Sequence, residues 1–441
     1  MRIRLLVTAF FLLCLSAFAQ QPSNVTVLKA AQLYDSQRKT PVRDAVVIIE
    51  GNKIKEVGSE LPIPKNATVI DLGDSLLLPG YIDCHTHLLQ NYDPGLRGED
   101  DAMLLTVAQM STAKRALLGV KMGMEDLLAG ITTVRDVGNS GVEGDVALRD
   151  AINDGWVKGP RIAAATRALS APGGQFGTLT PAARSLVAEE YVEISSPDDA
   201  RRAVQQAVYA HADVIKVIVN ASATLTSDEM KAIVDEAHRH HRKVAAHAIG
   251  DLATRIAAEA GVDSIEHAYV ISDDVLKMMA AKHIFLVPTD TTPDGFRDLF
   301  LPSRNQWVHD NAERIAREEA GHRGERLKRA VSFGVPVAAG SDMYYQLGSR
   351  TRGEGSILML QSYLDAGMTP DQVVKFATSN AAELLGWQDR IGSLQQGKLA
   401  DIIAVPADAL QHGSALLKVR FVMKDGAVYR NDLASAQAVA K

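Results

Sequence analysis

The chain of 441 residues has little cysteine, only Cys14 and Cys84. Cys14 falls in a leading segment that reads as removable, so one thiol remains and an intramolecular disulfide is excluded. Stability must then come from the size of the core rather than from covalent staples. No block of basic residues occurs and the formal net charge is −6, which leaves no footprint for a nucleic-acid partner. No apolar run reaches the ~20 residues that a membrane-spanning helix needs. A Gly-rich dinucleotide fingerprint and low-complexity tracts are also missing.

What is present is an ordinary globular composition, 46% hydrophobic, sufficient for one large domain or two. Arg2 and Arg4 precede an apolar run over 5–15, followed by the small-x-small sequence Ala17-Phe18-Ala19. That pattern is a Sec-type signal peptide over 1–19, and it predicts a bacterial periplasmic or secreted protein with no membrane attachment after cleavage. Leu13 stands before Cys14 where a lipid-anchor motif would have a small residue. Cys84 reads as a small buried hydrophobe rather than a nucleophile.

The two ends of the chain share one style. Short strands over 25–28, 45–50, 53–57 and 67–72 are separated by turn residues such as Gly51-Asn52. The C-terminal part repeats this with strands over 401–405 and 419–424 and a hairpin turn at Asp425-Gly426. The expectation is a small β-sandwich domain built from residues 20–79 and 391–441. Between them, over 80–390, strand and helix patterns alternate. The strand candidates are 80–87, 131–137, 161–167, 213–219, 243–248, 264–269, 284–289 and 335–341. Ser196-Pro197-Asp198-Asp199, Thr226-Ser227-Asp228-Glu229 and Ser272-Asp273-Asp274 read as helix starts, and Gly130, Gly261 and Gly334 as exits. This is an α/β pattern, and it predicts a TIM (β/α)8 barrel. A doubly wound sheet is the alternative.

In such a barrel the active site forms at the C-terminal ends of the strands. Metal-competent residues fall at those places. His85 and His87, two apart on one strand, point to the same face. Lys216 interrupts the apolar run Val214-Ile215-Lys216-Val217-Ile218. His247, His267 and Asp342 close the fifth, sixth and eighth strands. A lysine on a core strand is costly unless paired or modified. A salt bridge from Lys216 to Asp342 or Glu266 is the structural alternative to a ligand role.

These residues sit in longer matching stretches. They are Leu78-Pro79-Gly80-Tyr81-Ile82-Asp83-Cys84-His85-Thr86-His87, Gly130-Ile131-Thr132-Thr133-Val134-Arg135-Asp136, Ile265-Glu266-His267, Ala339-Gly340-Ser341-Asp342 and Gly392-Ser393-Leu394 through Leu399-Ala400-Asp401. Over about residues 24 to 430 the chain resembles the amidohydrolase superfamily, in its two-metal branch with a carboxylated lysine. Within it, the chain is most similar to secreted imidazolonepropionase-like members, a group that includes Xaa-Pro and Xaa-Arg dipeptidases and ochratoxin-hydrolysing enzymes.

The resemblance implies two divalent metal ions, Zn2+ by ligand chemistry. It implies His85, His87 and Asp342 on the more buried ion, His247 and His267 on the other, and Lys216 as N6-carboxylysine bridging both. A metal-bridging hydroxide would then attack an amide carbonyl, with Asp342 as the catalytic proton shuttle. The expected substrate is a small-molecule amide, a dipeptide or N-acyl amino acid. A cyclic-amide hydrolase or deaminase of the same superfamily is the alternative. Single-metal members place a Glu where this chain has Gly250, which argues against that branch. Relatives are often assemblies, which predicts a homo-oligomer. Candidate substrate residues are Gln175, after Ser170-Ala171-Pro172-Gly173-Gly174, and Tyr344, Arg350 and Arg352 after Asp342. Arg135 and Asp136 read as a structural pair. His211, His238, His240, His241, His283, His309, His322 and His412 read as surface residues.

Overall fold

The computed structural model describes residues 25–434 apart from Lys39, Pro94, residues 96–98 and Ser222. The expected signal segment 1–19 therefore lies outside the described residues. The N-terminal strands are β1 (Val25–Leu33), β2 (Val42–Glu50), β3 (Lys53–Ser59), β4 (Thr68–Asp71) and β5 (Ser75–Pro79). Near the other end come β15 (Ile402–Pro406), β16 (Phe421–Lys424) and β17 (Ala427–Asn431). Those expected to form a sandwich are hydrogen-bonded as one continuous eight-stranded sheet, in the order β17-β16-β15-β5-β1-β2-β3 with β4 beside β1. The joint between the chain ends is β5 with β15, antiparallel, with Leu76 opposite Val405 and Leu78 opposite Ile403. Strand β5 was not visible as a separate strand, because its buried run Ser75-Leu76-Leu77-Leu78-Pro79 carries no alternation. Leu28, Val47, Ile49, Leu77, Ile402, Phe421 and Met423 share one core beneath the sheet. Asp425 and Gly426, at φ 49° and 75°, make the expected hairpin turn between β16 and β17.

The middle of the chain supplies parallel strands: β6 (Tyr81–Thr86), β7 (Ile131–Asp136), β8 (Arg161–Ala164), β9 (Ala168–Ser170), β10 (Tyr191–Glu193), β11 (Val214–Ile218), β12 (Lys243–Ala248), β13 (Ser264–His267) and β14 (Phe285–Val287). They form a sheet β6-β7-β8 and a sheet β10-β9-β11-β12-β13-β14. Two segments connect these sheets. Residues 161–170 pair with β7 through β8 and with β11 through β9. The break between them is at Thr166, whose φ is 63°. The Asp145 carboxylate accepts the freed N–H groups of Ala165 and Thr166 at 2.9 and 2.8 Å, which satisfies backbone that would otherwise be orphaned.

The eighth expected segment, 335–341, is not a regular strand. It bonds to β14 (Ala338 N–H to Leu286 O, 3.0 Å) and to β6 (Cys84 N–H to Ala339 O, 2.8 Å). Its irregularity follows from close approach: a Cβ on Gly340 would lie 2.4 Å from Val287 Cγ1 and 2.9 Å from His85 Cβ. Helices cover the outside as their caps foretold. Ser196 caps Pro197–Tyr209. Thr226 and Glu229 form a capping box on Ser227–Arg239. Gly261, at φ 84°, closes Asp251–Ala260.

Candidate metal centre

The strand ends bring the sequence-predicted ligands together. His85 is the penultimate residue of β6 and His87 follows its end, and their Nε2 atoms both lie 3.3 Å from Asp342 Oδ1. Ligand atoms of these three residues lie within 4.8 Å of one another. Two ligands of one tetrahedral ion, each about 2.1 Å from it, would be about 3.4 Å apart. On the far side of Asp342, His267 Nδ1 is 3.7 Å from Oδ2. The His267 ring centroid is 4.9 Å from that of His85 and 4.5 Å from that of His247. Lys216 is 2% exposed, and among the described residues no carboxylate oxygen comes within 4.0 Å of its Nζ. The salt bridge that would have given it a structural role is therefore not formed.

The outer contacts orient these rings. His85 Nδ1 meets Glu266 Oε2 at 2.7 Å, and His87 Nδ1 donates to Gly138 O at 2.8 Å. Both Nε2 atoms are left facing Asp342, the arrangement that fixes a ligating tautomer. Glu266 is held in turn by Arg135 at 2.8 Å. This corrects the expected Arg135–Asp136 pair: Asp136 instead accepts from Leu88 N–H and Ser140 Oγ, at 2.7 and 2.8 Å. Cys84 is fully buried and packs beside Ile82, Phe285 and Ala381. Burial pushes its thiol up to about 12, which fits a packing role. Of the histidines read as surface residues, His240 is half-buried and the others are exposed.

The protonation states suit a cation. Burial, reinforced by the Lys216 charge, pulls His247 down to about 3. Burial also takes His267 well below the usual imidazole range. For Asp342 burial acts upward, but His85, His87 and His267 together hold its carboxyl well below the usual range. Burial lowers Lys216 to about 8 against the opposing pull of Glu266 and Asp342. Neutral imidazoles and an ionised carboxylate are the forms in which these groups bind metal. The donor set therefore fits divalent ions. Backbone strain collects in the same layer: His267, Thr289 and Asp342 have φ of 69°, 59° and 53°. For the β-branched Thr289 this is an outlier, and such outliers cost on the order of 1–3 kcal/mol each.

A cavity of 600 Å³ opens over this layer, lined by His247, His267 and Asp342. Gln175 and Tyr344, predicted from sequence, line it too. Gln175 Oε1 accepts from the Tyr191 hydroxyl at 3.2 Å, and the Tyr344 ring meets His87 edge-on at 5.7 Å. Arg350 does not line it and ion-pairs with Asp298 at 3.2 Å. Arg352 corrects the expectation for a substrate contact. It is 5% exposed, and its guanidinium is saturated by Asp126, Gln90 O, Thr86 Oγ1 and Met343 O. Sequence reasoning missed Tyr269, Thr289 and Arg323, which also line the cavity. Only Tyr269, two residues after His267, carried a positional signal. A larger cavity of 800 Å³, lined in part by Gln37, Pro336 and Lys398, brings together none of the candidate ligands.

Parallel strands covered by helices, with histidines and a carboxylate near their C-terminal ends and a buried lysine within one of them, are an α/β arrangement whose donor set could ligate metal. The pattern of the Amidohydrolase family matches residues 76–429, and the chain belongs to that family. It is 28% identical over 421 residues to ochratoxinase of Aspergillus niger, which covers 88% of this chain and 82% of that one. Imidazolonepropionase of Clostridium tetani is 22% identical over 414 residues, with 87% and 90% covered. Among solved structures, a Xaa-Pro dipeptidase with methionine bound in its active site superposes with a TM-score of 0.78 at 27% identity, covering 92% of this chain and all of that one. Those neighbours carry a TIM barrel beside a second domain.

Proposed function

We infer that this protein is a metal-dependent hydrolase that cleaves the amide bond of a dipeptide or N-acyl amino acid. In this reading the eight strand segments close into a (β/α)8 barrel, with the chain-end sheet as its second domain. The observation that carries the reading is the buried Lys216, without an anionic partner, beside the neutral imidazoles of His247 and His267 and an ionised Asp342. A bare ammonium there is unfavourable, and conversion to a carbamate would supply the anion that neighbouring divalent ions require. His85, His87 and Asp342 would hold one ion, His247 and His267 the other, with Lys216 between them. Divalent ions bound there would polarise a carbonyl and acidify water. The burial-lowered pKa of Lys216 raises the share of neutral amine, the form that adds carbon dioxide.

Asp342 moves the proton. Its carboxylate, kept ionised by the imidazoles around it, takes a proton from the attacking water and delivers it to the departing amine nitrogen. Glu266 and Gly138 O hold His85 and His87 in register throughout. Water adds to the acyl carbon, the C–N bond breaks, and a carboxylic acid and an amine leave. Zinc is the ion that best matches the donor set. The reading extends to export of the chain by residues 1–19 and to a homo-oligomer, to be checked by sequencing the N-terminus of secreted protein and by light scattering.

The deciding experiment is a screen of Xaa-Pro, Xaa-Arg, Xaa-Lys and N-acyl-Phe substrates on zinc-loaded protein, alongside cyclic imides. Hydrolysis of a linear amide, lost on chelation and in Lys216→Ala, is the expected result. Turnover of cyclic imides alone would transfer the assignment to the cyclic-amide branch.

A further inference from the structure

The geometry points to Arg323 as the anchor for a substrate carboxylate, and so to a substrate whose departing amine carries a free carboxylate. This rests on the amide-hydrolase reading above and names the end of the substrate that the cavity holds. Neither Arg350 nor Arg352 can take that part. The first is paired outside the cavity and the second is buried in a saturated network.

Arg323 lies on the helix Ala312–Ser332, one turn before Arg326. The two are a controlled contrast. Arg326 is 2% exposed, and its Nη2 donates to both carboxylate oxygens of Asp290, at 2.7 and 2.6 Å. Its charge is neutralised inside the protein. Arg323 lines the cavity over the candidate metal centre and is the only arginine or lysine among the described lining residues. Its hydrogen bonds to the protein are few, although, against burial, Tyr269, Asp290 and Glu319 stabilise its charge and push its pKa up. Nη1 reaches Thr289 O at 3.5 Å. Nε has no hydrogen bond and faces Glu319 at 3.5 Å, a carboxylate that is 42% exposed. Solvent at the exposed Glu319 carboxylate screens that pair from its side. Thr291 Oγ1, on the same cavity wall, is also buried without a hydrogen-bond partner.

The guanidinium is nonetheless fixed in place. Its Cζ sits 3.7 Å from the Tyr269 ring centroid and 4.6 Å from that of Phe296. Rings against the faces of a guanidinium hold its plane while leaving the edge donors for a ligand. Those donors form a fork that matches a carboxylate. Tyr269 also ties this cation to the reacting centre. Its ring centroid is 5.4 Å from that of His267, and its hydroxyl lies 3.2 Å from His267 Nδ1. The charge thus stands one aromatic ring away from a candidate metal ligand. In this proposal the carboxylate, two bonds from the departing nitrogen, meets Arg323 while the amide carbonyl faces Asp342. Phe296, Leu299 and Phe300 add an apolar wall beside it, suited to an apolar side chain on the same amino acid.

The test compares N-acetyl-L-phenylalanine with N-acetyl-L-phenylalanine amide, in turnover by zinc-loaded protein and in binding by calorimetry. Wild type is expected to favour the free acid in both. Arg323→Met should lower kcat/KM for the acid about 100-fold, chiefly through KM, as expected on removing one partner of a desolvated charge pair. It should change cleavage of the acetyl bond in the amide by less than about 3-fold. Arg323→Lys should restore part of the preference, and Arg350→Met should leave it intact. Unchanged thermal unfolding would show that the variants fold. Equal losses on both probes, or a preference that survives in Arg323→Met, would overturn the assignment. If wild type cleaves neither probe, the amide-hydrolase reading fails separately and binding decides. Tighter binding of the acid that vanishes in Arg323→Met sustains the anchor, and equal binding of acid and amide removes it.

Discussion

Two of the places where this molecule buries charge differ in how that charge is met. At the junction of the chain-end sheet with β8, Arg161 reaches Asp401 and Asp425, each at 2.5 Å, and Asp401 accepts the Asp425 N–H at 2.9 Å. Every charge there meets its opposite within the chain. Around the C-terminal ends of the parallel strands, Lys216 has no carboxylate within 4.0 Å among the described residues, Asp342 is surrounded by imidazoles, and Arg323 is clamped by rings with only the exposed Glu319 beside it. Burial is comparable in the two places. What separates them is internal closure. A network that closes on itself holds two parts of the fold together, whereas one left open has a place for something else.

The comparison can be broken in four ways. The largest effect belongs to Asp342→Asn, which removes the proton carrier. The expected loss in kcat is about 1,000-fold or more, measured on whichever amide the screen identifies, with chelation of wild type giving a similar loss. Thermal unfolding should separate this from stability, because the fold should survive both treatments. Next, Asp401→Ala leaves Arg161 short of one partner in a buried pair. It should cost about 4 kcal/mol in denaturant unfolding and change kcat by less than about 3-fold at a temperature where the variant is folded. If it damages activity as much as Asp342→Asn does, the two networks are not separate.

The third concerns Lys216 in protein stripped of metal and carbon dioxide. Burial lowers its pKa from 10.5 to about 8. Between those values the unfolded chain binds a proton that the folded chain does not, so stability should rise with pH across that window. The gain should reach about 3 kcal/mol at most, and it should be absent in Lys216→Met. A flat profile in wild type would mean that the amine is neutralised by a partner after all. Fourth, Gly340→Ala pushes a methyl against Val287 and His85. A displacement of His85 by about 1 Å should lower activity about 100-fold, while charge at the junction stays undisturbed.

Much of the site was legible in the chain because its signals are local. A histidine pair at strand spacing, a lysine inside Val214-Ile215-Lys216-Val217-Ile218, and polar residues closing apolar runs all follow from the two-residue repeat of a strand and the cost of burying charge. The hairpin at Asp425-Gly426 and the caps at Ser196 and Thr226 are readable for the same reason. Other features were not. Strand β5 is apolar throughout, so no repeat announced it. The segment 335–341 had the composition of a strand, but Gly340 brings it too close to Val287 and His85 for a regular one.

Arg350, Arg352 and Arg323 show where local reading stops. All three are arginines near polar neighbours, and nothing within a few residues distinguishes them. The helix Ala312–Ser332 carries arginines and acids along its length, as a solvated helix does. The sequence by itself determined most of the strands, the capped helices, that the chain's two β-rich ends are alike, and which groups could ligate metal. Only the tertiary structure decided that β5 meets β15, that Arg352 disappears into a network with Asp126, and that Arg323 alone of these turns toward the cavity. The physical reason is range. Backbone preference and burial cost act over a few residues, but the partner of a charge is set by how a whole helix is rotated and docked against strands far away in the chain.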